Sequence, residues 1–107
     1  MVTNSAGAAE LIMVRQAGCP WCTLWDREIG SVYPKSDEGR FAPLRHLDIR
    51  APLPAFVKEP VTVTPTFILV EGSREVGRIT GYPGESFFWE MLSEILVLSS
   101  FTRGHPP

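Results

Sequence analysis

Apolar residues fall in short bursts along this chain, and the spacing within each burst switches between strand-like and helix-like. Leu11-Ile12-Met13-Val14 is an unbroken apolar run bounded by Arg15-Gln16-Ala17-Gly18 and predicts a short buried strand. From about Pro20 the spacing turns helical, with Cys22, Trp25 and Asp26, Ile29 and Tyr33 along one face. Pro20 suits a first helical turn, where its missing N–H is not needed, and Gly30 and Pro34 mark the end. Residues 34–42 carry Pro, Lys, Ser, Asp, Glu, Gly and Arg and predict an exposed loop. Leu44, His46 and Asp48 alternate with Arg45, Leu47 and Ile49, predicting a second strand. Residues 51–60 hold three prolines, so any helix there is short. Thr66–Val70 is the strongest β signal, and Glu71-Gly72-Ser73-Arg74 predicts a hairpin turn into Glu75–Thr80. Gly81-Tyr82-Pro83-Gly84 stops that strand, and a last helix places Phe88, Met91, Leu92, Ile95 and Leu96 on one face.

The predicted order is β-α-β-(short α)-β-β-α. The strand–helix–strand start demands a crossover and parallel pairing, while the 71–74 turn gives one antiparallel pair. The class is therefore α/β, a central mixed sheet flanked by helices. A chain of 107 residues builds one core. We place the domain at residues 10–98, between a flexible N-terminal segment, 1–9, and a C-terminal tail, 99–107.

Charge and hydropathy remove several function classes. The net charge is -2 and the ten Lys and Arg are scattered, so nothing points to nucleic acid. No apolar stretch reaches the roughly 18 residues of a membrane span; the run at 92–98 is broken by Ser93 and Glu94. Residues 1–9 are small and polar, without a basic and then apolar leader, and read as a mature terminus that leaves export open. A monomer is expected.

The chemistry lies in Cys19-Pro20-Trp21-Cys22, which contains the only two cysteines. The motif sits between the first predicted strand and the first predicted helix. That junction puts the first sulfur at a helix start, where unpaired N–H groups and the helix dipole favour a thiolate. Cys19 is then the attacking nucleophile and Cys22 the resolving thiol of a reversible disulfide. Pro20 and the helix start expose the first sulfur, which argues against two inert buried cysteines. Trp21 offers a contact surface beside that sulfur. Zinc needs about four ligands, and the remaining candidates, His46 and His105, fit no common spacing with the pair, so no metal is expected.

Val63-Thr64-Pro65-Thr66 is the second signal. A proline just before a buried strand is a routine strand start. Beside a CxxC it points to a cis Thr64–Pro65 bond that turns the Thr64 backbone toward the disulfide, ready to pair with an extended substrate.

With these residues in place, the chain resembles the thioredoxin superfamily over about residues 10–98: a CxxC opening the first helix, Thr-Pro before the third strand, a hairpin, Gly81 and a closing amphipathic helix. The resemblance implies that Cys19 is the nucleophile, Cys22 the resolver and Pro65 the cis proline. The N-terminal strand and helix of full thioredoxins are missing, which implies the minimal, glutaredoxin-sized form of the thioredoxin-like fold. The stretches 29–36, 48–54 and 81–89 resemble the SoxS-type periplasmic thioredoxins of sulfur-oxidising bacteria. That likeness implies a periplasmic location and a reducing task on a sulfur-carrier protein. It also implies a membrane thiol reductant of the CcdA or DsbD kind, and no cofactor beyond the Cys19–Cys22 disulfide.

The departures keep two alternatives open. Thioredoxins carry a buried Asp on the strand before the motif, where this chain has Leu11-Ile12-Met13-Val14; Asp26 and Glu28 are the substitutes on offer. The Pro-Trp dipeptide is closer to the Pro-Tyr of glutaredoxins, so a glutathione-using enzyme is one alternative, with Arg15 or Gln16 to meet a glutathione carboxylate. The glycine-glycine-aspartate feature of glutaredoxins is absent, and residues 81–85 read Gly-Tyr-Pro-Gly-Glu instead. The other alternative is a non-catalytic thioredoxin-fold binding module.

Overall fold

A computed structural model of the chain describes residues 8–102. Four strands form one sheet in the order β2-β1-β3-β4: β1 is Ala9–Arg15, β2 Leu44–Asp48, β3 Thr66–Glu71 and β4 Glu75–Thr80. β1 pairs parallel with β2 and antiparallel with β3, and β3 pairs antiparallel with β4, so the sheet is mixed as expected. The turn between β3 and β4 puts both Gly72 (φ 61°) and Ser73 (φ 62°) in the left-handed region, the twist that a tight hairpin requires.

Alternation along the central strands divides the core in two. Leu11 and Met13 of β1 and Phe67 and Leu69 of β3 face a layer with Trp25, Ile29, Tyr33, Phe88, Leu92 and Leu96. Ile12, Val14, Ile68 and Val70 face the opposite side, with Val57 buried against them and Leu47, Leu53, Phe56 and Val61 partly so. The first layer is helical: α1 (Pro20–Trp25) and α3 (Glu85–Leu96) supply most of it. On α3, Phe88, Leu92 and Leu96 are buried, while Met91 and Ile95 lie half-buried at the margin.

Three expectations are corrected. The first helix does not run regularly to Tyr33. After α1 the backbone widens into a π-helical turn, Asp26–Gly30, followed by a 3-10 turn, Tyr33–Lys35. Trp25, Ile29 and Tyr33 remain buried through that change of pitch, so the apolar spacing by itself did not reveal it.

Residues 34–42 are not an exposed loop. They hold a short helix, α2 (Asp37–Phe41), capped by Ser36, whose hydroxyl accepts a hydrogen bond from the Gly39 N–H at 2.9 Å. Glu38, Gly39 and Ala42 are buried, and the Tyr33 hydroxyl donates to the Ala42 carbonyl at 2.7 Å. Gly39 is needed for close approach: a Cβ there would stand 1.9 Å from the Tyr33 carbonyl oxygen.

No helix forms between β2 and β3. Pro52, Pro54 and Pro60 lack N–H donors and bias the residues before them away from helix. The second face of the sheet is therefore roofed by irregular chain. Arg78 of β4 ties that roof down, donating to the carbonyls of Glu59 and Pro60 at 3.2 and 3.3 Å while paired with Glu75. Of the segment expected as a tail, Phe101 packs edge-on against Phe41 and Ser100 hydrogen-bonds Glu71.

Candidate active site

β1 delivers the chain to residues 16–18, where Gly18 (φ 81°) reverses direction and the Cys19 N–H returns to the Gln16 carbonyl at 3.2 Å. Cys19 then caps α1 from an extended conformation (φ -82°, ψ 108°), with Pro20 in the first turn. Its Sγ accepts a hydrogen bond from the Cys22 N–H at 3.1 Å. Its carbonyl accepts from the Thr23 N–H and hydroxyl at 3.2 and 3.3 Å. A helix-start N–H aimed at Sγ favours sulfur carrying negative charge.

Cys19 and Cys22 form a disulfide, with Cα atoms 5.3 Å apart. Cys19 is 8% exposed and Cys22 1%, so both are buried and Cys19 is the less so. Pro20 and Trp21 are exposed beside them, Trp21 by 58%. The Thr64–Pro65 peptide bond is cis. Thr66 pairs with Val14 at the end of β1 that leads into the motif, so Thr64 and Pro65 share that end of the sheet with Cys19. Thr64 is half-buried and Pro65 buried, and the Thr66 hydroxyl braces their loop by donating to the Val63 carbonyl at 2.6 Å.

The two acidic candidates have other partners. Asp26 accepts two hydrogen bonds from Arg15, at 2.9 and 2.6 Å. The Arg15 guanidinium holds the Asp26 carboxyl below its ordinary range. A group held ionised this way is a weak proton acceptor for a resolving thiol. Arg15, one candidate for a glutathione carboxylate, is by the same contact already paired. Glu28 accepts from the Tyr82 hydroxyl at 2.6 Å. Burial, then the Glu28 hydrogen bond, push the Tyr82 phenol above its ordinary value.

Tyr82 is the site residue that the sequence did not reveal. Residues 81–84 read as a strand stop and as part of a family likeness, neither of which gave Tyr82 a role of its own, and 54 positions separate Tyr82 from Glu28, so no local pattern joins them. Gly81 (φ 86°) donates its N–H to the Pro65 carbonyl at 2.7 Å, which fastens this loop to the cis proline. Tyr82 is buried in the same apolar cluster as Cys19 and Cys22.

On the other flank of Cys19 a groove of about 350 Å³ runs between residues 15–18 and His46, Leu47 and Asp48 of β2. Gln16 lies along it. His105 lies outside the described residues. Among the described residues, no group of three or more His, Cys, Asp or Glu gathers to hold a metal. No described helix is long and apolar enough to cross a membrane.

A disulfide at a helix start, a cis proline at the same end of the sheet and a mixed sheet between layers define a thiol–disulfide oxidoreductase of the thioredoxin fold. Comparison with solved structures agrees. The chain is 49% identical to the periplasmic thioredoxin SoxS from Paracoccus pantotrophus, crystallised in its reduced form, with a TM-score of 0.79, covering 84% of this chain and 97% of that one. It also matches Fasciola hepatica thioredoxin at 22% identity and TM-score 0.63, covering 82% of this chain and 81% of that one. Trxlp from Edwardsiella tarda matches at 23% identity and TM-score 0.60, covering 82% and 84%. No protein-family model and no curated protein matches the chain. The chain belongs to the thioredoxin superfamily, as a SoxS-like member. Its redox-active group is the Cys19–Cys22 disulfide.

Proposed function

We propose that this chain is a periplasmic reductant of one partner protein, and that the partner is a sulfur-carrier protein of a sulfur-oxidation system. The observation that carries the reading is the 49% identity to the periplasmic thioredoxin SoxS over 97% of that chain. The site residues are assigned roles on the same footing. The Cys19 thiolate attacks one sulfur of the partner's disulfide; that S–S bond breaks and the departing sulfur takes a proton. Cys22 loses its proton and attacks Cys19 Sγ, releasing the partner as a second thiol. Two electrons have then passed to the partner, and the chain is left with the Cys19–Cys22 disulfide. A membrane thiol reductant of the CcdA or DsbD kind supplies two electrons to reopen it. Trp21 and the backbone of Thr64 dock the partner as an extended strand, main-chain hydrogen bonds giving affinity and side-chain contacts selectivity.

The test is Cys22→Ser, exported to the periplasm of a sulfur-oxidising bacterium. Without the resolving thiol, Cys19 stays joined to what it attacks. One dominant polypeptide adduct with an accessible cysteine supports the reading. A spectrum dominated by a single glutathione mass, released by free glutathione, supports the glutaredoxin alternative and overturns it. Many unrelated adducts overturn the dedicated partner.

A further inference from the structure

The π-helical turn that follows the reactive helix carries two ties that point to opposite flanks of the site. Asp26 binds Arg15, beside the groove at β2, and Glu28 binds Tyr82, in the loop after β4. The second tie has a mechanical setting. Residues 81–84 join β4 to α3 with Gly81 and Gly84 both at positive φ, so the loop gains no rigidity from regular backbone. It is held at Gly81, by the Pro65 carbonyl, and at Tyr82, by Glu28. The Tyr82 ring meets Phe88 edge-on within the buried cluster that also holds Cys19 and Cys22, while its hydroxyl reaches the exposed Glu28 carboxylate.

We propose that the Tyr82–Glu28 hydrogen bond is a strut that fixes the 81–84 loop, and through Gly81 the cis-proline segment, in the position that receives a polypeptide substrate. Tyr82 is a positioning residue: it acts through the loop. The inference rests on the reading that the substrate is a protein disulfide. An extended chain must find the Thr64 backbone and its neighbouring loop in register, because each main-chain contact depends on a fixed geometry. A small disulfide needs only the Cys19 sulfur. Loosening the strut therefore separates the two substrate classes, whereas general damage to the fold weakens both.

The experiment uses pre-reduced, full-length protein and follows thiol loss by alkylation after mixing with insulin or with cystine. Tyr82→Phe removes the hydroxyl and keeps the buried ring. It should raise the insulin concentration for half-maximal rate about threefold or more, with the limiting rate held, the signature of lost binding rather than lost chemistry. Its rate with cystine should change by less than about twofold. Glu28→Gln keeps an acceptor oxygen and should follow the parent; Glu28→Ala should follow Tyr82→Phe. Equal losses on insulin and cystine, or an insulin response unchanged by Tyr82→Phe, overturn the strut. A parent that reduces cystine but not insulin overturns the strut, since no general polypeptide binding is left for it to support; the partner reading is decided separately by the Cys22→Ser adduct. Should Tyr82→Phe fail to fold, the Glu28 pair decides by the same comparison.

Discussion

The Arg15 guanidinium grips the Asp26 carboxylate through two parallel hydrogen bonds, 2.9 and 2.6 Å long, joining the end of β1 to the turn behind the reactive helix. The pair sits partly in water, with the Asp26 side chain 41% exposed, so solvent screening keeps its worth under about 1 kcal/mol. The folded-state carboxyl is held below its ordinary value of 3.8. Its contribution is therefore present above that value and lost as pH falls through the lower folded one. Asp26→Asn should unfold slightly below the parent temperature at neutral pH. The gap should close under acid conditions below the ordinary carboxyl value, measured by thermal melts across pH.

The cysteines should titrate apart. With a backbone N–H on its sulfur and the greater exposure, Cys19 should be alkylated first in the reduced protein, with a pKa below the free-thiol value of about 8.5. Rates of carbamidomethylation against pH, read by peptide mass, check this. Faster modification of Cys22 would reverse the assigned roles.

Two glycines make a matched pair. Gly39→Ala forces a methyl to within 1.9 Å of a backbone oxygen, which cannot step aside. Gly77→Ala meets Cγ2 of Ile95 at 2.7 Å and its Cβ at 3.0 Å, and a β-branched residue on a helix is stiff at χ1, so α3 itself must give. Overpacking of this kind costs about 1–3 kcal/mol, and Gly39→Ala should lie at or beyond the upper end with Gly77→Ala within the range. Urea denaturation of both variants ranks them.

Trp25 is the central side chain of the helical layer, with ring centroids 5.3 Å from Phe67 and 5.7 Å from Phe88. Trp25→Ala should cost about 3–5 kcal/mol. Among the described residues its buried indole N–H has no hydrogen-bond partner, so Trp25→Phe keeps an aromatic contact and deletes that donor. Trp25→Phe should therefore lose less than half as much as Trp25→Ala in the same denaturation experiment.

The elements that carry chemistry were legible because their signals are local. A run of four apolar residues, a CxxC and a helix-starting proline lie within residues 11–22, and Thr64-Pro65 directly precedes the strongest β run. The structure places the end of that run, the CxxC and Thr64-Pro65 at one end of the sheet. What escaped depends on contacts between distant residues or on competition within a helix. Ser36 caps a turn inside a stretch whose composition suggests a loop, and Glu38 and Ala42 are buried where the Tyr33 hydroxyl donates to their carbonyls. The π-helical turn preserves the apolar positions and so leaves no mark on periodicity. Tyr82 became a site residue through a partner on a different element.

The two-sided burial of β1 and β3 gives the parity of a residue number a meaning. Odd positions 11, 13, 67 and 69 lean toward the sulfurs, and even positions 12, 14, 68 and 70 toward the proline-rich roof. Neighbours along one strand thus answer to different neighbourhoods. An odd-position change disturbs the cluster that holds the disulfide, while an even-position change disturbs the cluster under the proline-rich roof. The sheet acts as a partition between the layer that holds the redox pair and the layer under the roof.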